Sequence, residues 1–91
     1  MDDPLFEQMN QIRIQTVLND LDLAVTFIQV ARTSGNPDTR RRNRDNAAEA
    51  YSAIRDVLLP MCRINEAQRH DIEAKLTDLR RSLETLGEQI T

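Results

Sequence analysis

Tryptophan is absent from this sequence, and Phe6, Phe27 and Tyr51 are its whole aromatic content. A core must then be built from Leu, Ile, Val, Met and Ala, which suits interdigitating helices better than stacked sheets. Glycine and proline are equally scarce, two and three residues, and they stand at the edges of periodic segments, whereas a β fold needs many more turn signals. Cys62 is the single cysteine, which excludes an intramolecular disulfide and any multi-cysteine zinc site and fits a reducing compartment. No stretch approaches the ~20 apolar residues of a membrane span. The opening Met1-Asp2-Asp3-Pro4 is acidic where a secretory signal is basic and then apolar. The expected setting is cytoplasmic.

The signatures of catalysis are missing as well. There is no glycine-rich phosphate loop, no His-x-x-x-His, no cysteine–histidine cluster and no Gly-x-Ser-x-Gly. Fifteen carboxylates are spread among arginines, with no pair set apart as acid and base. Cys62 has no evident general base near it in sequence and reads as a small apolar plug at a helix end. The expectation is a protein that is not an enzyme and takes no cofactor or metal. A net charge of −3 gives no strongly positive field and disfavours nucleic acid.

What remains is helical periodicity, and at 91 residues it fills one domain, residues 1–91. Asp3 as N-cap with Pro4 behind it starts a first helix predicted over about 4–33, with Thr33-Ser34-Gly35 as its stop and Gly35 able to take a left-handed conformation. Asn36-Pro37 repeats the opening device for a second helix over about 37–60, which Pro60 ends or kinks near Leu59. Asn65-x-x-Gln68 has the spacing of a capping box and opens a third helix over about 66–87. Short links between long helices favour antiparallel neighbours. The expected fold is all-α, an antiparallel up-down-up three-helix bundle with an extended first helix.

The apolar faces differ between helices. In the third, Ile72, Leu76, Leu79, Leu83, Leu86 and Ile90 form one narrow seam. In the second, Ala47, Ala50, Tyr51, Ile54, Val57, Leu58 and Met61 form a stripe behind a polar first half, Asp38 to Asn46, that should project into solvent. The first helix has two stripes. At about 100° per residue from Ile14, the residues Val17, Leu18, Leu21, Val25 and Ile28 lie on one side, and Leu5, Met9, Ile12, Leu23, Phe27 and Val30 lie opposite, with Thr16 interrupting the row. A plain three-helix bundle offers the second row no neighbour. Either the other helices cover Leu23, Phe27 and Val30 and leave the rest overhanging, or the row joins a second copy, as a homodimer, or a foreign partner helix.

Two polar features compete for a role. Arg40-Arg41-Arg42-Asn43-Arg44 could lie along a nucleic-acid backbone. Asp38, Asp45 and Glu49 stand close by and no aromatic is interleaved, so a solvated face or a contact for acidic side chains of a partner is the stronger reading of Arg40, Arg41, Arg42 and Arg44. His70, the single histidine, lies in Arg69-His70-Asp71-Ile72-Glu73-Ala74-Lys75-Leu76, similar to the phosphoacceptor segment of sporulation-type phosphotransferases and some sensor kinases. Ala74 stands where that motif has Asn, and the alternative is an ordinary surface histidine.

Ala24 and Ala31 on the first helix, Gly35-Asn36 at the turn, Ala47-x-x-Ala50-Tyr51-x-x-Ile54 on the second helix, and Ile72-x-x-x-Leu76-x-x-Leu79 with Glu84 and Leu86 on the third also form a pattern. Over residues 24–88 it resembles the microtubule-interacting-and-transport (MIT) domain and, more loosely, the tetratricopeptide helical hairpin. The chain departs from both in its basic Pro37-to-Asn46 segment, in Pro60 falling one residue late, and in a first helix that begins some twenty residues early. The resemblance implies a non-catalytic module that takes a peptide or helix in a groove between its helices.

Overall fold

The computed structural model describes residues 3–87. It is all-α, with α1 at Pro4–Thr33, α2 at Pro37–Ala53 and α3 at Glu66–Thr85. The molecule measures 53 × 19 × 18 Å, so α1, about 45 Å long at 1.5 Å per residue, runs most of its length. None of the described helices is long and apolar enough to cross a membrane.

Each helix starts on a side-chain cap. Asp3 accepts from the Leu5 amide at 2.9 Å. Asn36 accepts from the amides of Asp38 and Thr39. Asn65 accepts from the Gln68 amide at 2.8 Å while the Gln68 side chain accepts from the Asn65 amide at 3.0 Å, a complete capping box. These satisfy N–H groups that the helix itself leaves without acceptors. The far end of α1 is built differently from expectation. Ser34 is extended and donates its N–H to Val30, and the one glycine with positive φ is Gly87, at 94°. Gly35 is thus not the left-handed cap; Ser34 ends the helix by leaving it in an extended conformation.

Pro60 is preceded by a more gradual departure from α geometry than a single break. Ile54–Leu58 forms a π turn and Leu59–Met61 a 3-10 turn. Widening the turn admits an extra residue and rotates the positions after it off the α stripe. Val57 and Met61, expected on the core stripe, stand about half exposed, while Leu58, Leu59 and Cys62 pack against the core.

The core line of α1 is Asn10, Ile14, Val17, Leu21, Ala24, Ile28 and Ala31, alternating steps of four and three. It meets Ala47, Tyr51 and Ile54 from the second segment and Ile72, Leu76, Leu79 and Leu83 from α3. Val25 does not join it and is about half exposed. Ala24 holds the neighbouring heptad place, and such small residues let helix backbones come close. Ala24 and Ala47 are fully buried, and a leucine at Ala24 should therefore cost about 1–3 kcal/mol through overpacking, measured as a lowered denaturant midpoint. No loss would mean the two helices separate freely.

At one end of the molecule Asn10 meets Arg63; at the other, Ala31, Pro37, Arg44 and Leu86 come together. The Asn10 amide, 6% exposed, donates to the Arg63 carbonyl at 2.8 Å and accepts from the Arg63 N–H at 2.7 Å. The Arg63 guanidinium lies 4.8 Å from the centre of the Phe6 ring, close enough for cation–π attraction. The link between the second and third helices is thereby fastened to α1.

Candidate functional site

The row on α1 is where the molecule leaves apolar surface open. Leu5, Met9, Ile12 and Leu23 are between 45% and 66% exposed. Phe27 is half-buried and packs against the core, and Val30 is half-buried. Leu23 therefore belongs with the open residues, whereas Phe27 is partly covered within the chain. Phe6 sits on the flank of the same stretch.

Two threonines within the row are less polar than they read. The Thr16 hydroxyl donates to the Ile12 carbonyl at 2.9 Å and the Thr26 hydroxyl to the Asp22 carbonyl at 3.2 Å. Both groups are satisfied within the helix. Gln15 donates to Asn19 at 3.0 Å across one turn, which ties down the remaining polar side chain of the row.

On the edge of the row lie Arg13 and Asp20, one heptad apart and both half-buried. Neither forms an ion pair among the described residues. Sequence reasoning missed this pair because each residue, taken singly, is an ordinary surface charge; the seven-residue spacing beside an apolar row was the available signal.

The structure divides the arginine run. Arg40, Arg41 and Arg44 line a shallow depression of about 270 Å³ with Ala31, Pro37 and Leu86, whereas Arg42 is exposed away from it. Residues 37, 40, 41 and 44 share a helix face by their spacing of three and four. Arg41 pairs with Asp38 at 3.3 Å, Arg44 lies 3.8 Å from Asp45, and Arg44 also donates to the Leu86 carbonyl at 3.3 Å. Part of the run's positive charge is thus balanced locally, and exposed pairs of this kind contribute little to stability. The polar half of α2 is not wholly in solvent, since Thr39, Asn43, Arg44 and Asn46 are half-buried.

His70 is exposed on the first turns of α3, away from the seam at Ile72 and Leu76. Cys62 is half-buried and its thiol donates to the Leu58 carbonyl. Burial pushes that thiol up from its ordinary range, and the nearby Arg13 charge works in the opposite direction. A thiol held protonated is a poor nucleophile. Hydrogen bonds from Arg55 hold the Asp56 carboxyl below its usual range, and Arg55 in turn lies over the Tyr51 ring. Among the described residues no group of three or more His, Cys, Asp or Glu side chains could hold a metal ion.

Compared with protein-family models, with curated proteins and with solved structures, the chain gives no match.

Proposed function

We propose that this chain is a non-catalytic protein-interaction module of the cytoplasm that self-associates as a homodimer through the outer face of α1. The observation that carries the reading is the open apolar row of Leu5, Met9, Ile12 and Leu23 on a helix whose other face is already buried. Large apolar side chains grouped on one open helix face characterise interaction sites more than ordinary solvent-facing helices. The resemblance to MIT and tetratricopeptide modules, whose work is binding, supports the same class. The lone thiol suits a reducing compartment.

Magnitudes set the strength to expect. Full burial of such a side chain is worth about 1.5–3 kcal/mol, and these are already partly covered, so each retains roughly 1 kcal/mol. Counted from both copies, the row yields about 8 kcal/mol, comparable with the 4–15 kcal/mol cost of association. The half-buried Phe27, Val30 and flanking charges must contribute the surplus. A weak dimer, with Kd in the range of about 0.1–1 mM, is the expectation.

Sedimentation equilibrium from about 1 µM to about 1 mM tests it. The wild-type chain should show a rising mass-average toward twice its 10.5 kDa. The Ile12→Glu/Leu23→Glu variant, altered at exposed positions only, should remain monomeric with unchanged helicity. A wild-type monomer throughout that range would remove the proposal.

A further inference from the structure

The row on α1 has an order that reads nearly the same from either end. Its positions at alternating steps of four and three are Leu5, Met9, Ile12, Thr16, Asn19, Leu23, Thr26 and Val30. Laid against a second α1 running the other way, Leu5 falls opposite Val30, Met9 opposite Thr26, Ile12 opposite Leu23, and Thr16 opposite Asn19. In a two-fold interface each contact recurs by symmetry, so the requirement is that each residue suit the one it meets; Leu5 with Val30, Ile12 with Leu23 and Thr16 with Asn19 are matched, and Met9 with Thr26 is not. The large apolar residues lie toward both ends, and the polar layer at Thr16 and Asn19 sits at the centre, where a polar position fixes register.

The edges of the row choose the direction. One edge carries Phe6, Arg13, Asp20 and Phe27, and the other carries Gln8, Gln15, Asp22 and Gln29. When two such helices pack antiparallel, like edges face each other. Arg13 then meets Asp20 of the second copy, twice by symmetry, and Phe6 meets Phe27. When they pack parallel, each edge faces the opposite one. Arg13 and Asp20 then meet glutamines, and Asp22 approaches the Phe27 ring.

Only the antiparallel arrangement pairs the half-buried charges, neither of which has an ion-pair partner among the described residues. It also suits the helix dipoles, which attract when opposed.

We infer that the occupant of the α1 row is the α1 of a second copy, antiparallel and in the register that pairs Arg13 with Asp20. This rests on the self-association proposed above and adds its direction, register and charge pairs.

The test is a spin label at the exposed Gln8, introduced as Gln8→Cys with Cys62→Ala, and measured by pulsed dipolar spectroscopy at a concentration where sedimentation shows dimer. Antiparallel packing in this register separates the two labels by about 30 Å along the axis at 1.5 Å per residue; parallel packing brings them within roughly 15 Å. The long distance is expected. A short one would overturn the inference while leaving self-association intact, and absence of dimer would overturn both. Charge exchange checks the register: Arg13→Asp and Asp20→Arg should each weaken the dimer about tenfold, and the double exchange should recover most of the loss. Recovery failing, with the single variants weakened, would mean another register.

Discussion

Leu83→Ala is expected to lower the free energy of unfolding by about 2–5 kcal/mol, out of a total of about 5–14 kcal/mol for a chain of this length. Leu83 is fully buried and is one of four residues, with Ile72, Leu76 and Leu79, that hold α3 to the rest. Their seam is one residue wide, and the remaining positions of the helix face solvent or are half-buried, so little around Leu83 is placed to collapse into the space. Truncation then leaves a cavity as well as lost burial. The measurement is a urea titration, with Leu23→Ala as the control. That leucine is about half exposed, and its loss should change monomer stability by no more than about 0.5 kcal/mol. Hydrogen exchange should show α3 losing protection before α1, because the weakened contact is the one that docks it. Equal costs for the two alanine variants would contradict the assignment of Leu83 to the core.

Asn10→Ala is the second large effect, about 2–4 kcal/mol, for an unlike reason. The side chain removed is small and polar, so little hydrophobic burial is lost. What is lost is both hydrogen bonds to the Arg63 peptide, and groups left without partners in a part-buried place cost about 1–3 kcal/mol each. Asn10→Asp separates the two bonds, since a carboxylate still accepts from the N–H but has no hydrogen to give the carbonyl. Its stability should fall between wild type and alanine at low pH, where the protonated carboxyl can still donate to the carbonyl, and fall further as the carboxyl ionises and loses that hydrogen. If Asn10→Ala unfolds at the wild-type denaturant concentration, the clamp contributes nothing.

The helix starts were legible because their signals are local. Asp3-Pro4, Asn36-Pro37 and Asn65-x-x-Gln68 each cap the helix they were expected to open. The core face of α1 was less so. A reading by hydrophobicity favoured Val25 over Ala24 and passed over Asn10, yet Ala24 and Asn10 are buried and Val25 is not. Close approach of helices selects alanine for size, and the Arg63 peptide selects asparagine for its paired donor and acceptor; neither demand appears on a scale of hydrophobicity. The π turn at Ile54–Leu58 was likewise hidden, because only Pro60 announces a break and nothing in Ile-Arg-Asp-Val-Leu marks a change of winding. At the candidate interface the second apolar row on α1 could be read from periodicity, but not which of its residues stay open. The coverage of Phe27 could not, since it depends on how closely other elements pass. Ile90, expected to extend the α3 seam, lies outside the described residues.

The clamp at Asn10 also sets an unequal pattern of tolerance to substitution along the chain. Its partner is the main chain of residue 63, and nearly every amino acid supplies the same N–H and carbonyl there. For this contact position 63 therefore accepts any residue but proline, while the Arg63 side chain serves separate contacts, the Phe6 ring among them. Position 10 has almost no latitude, because aspartate lacks the donor, glutamine is a methylene too long, and aliphatic residues offer neither bond. A library randomised at both sites should come back far more narrowly fixed at position 10 than at position 63, although the two residues form a single contact.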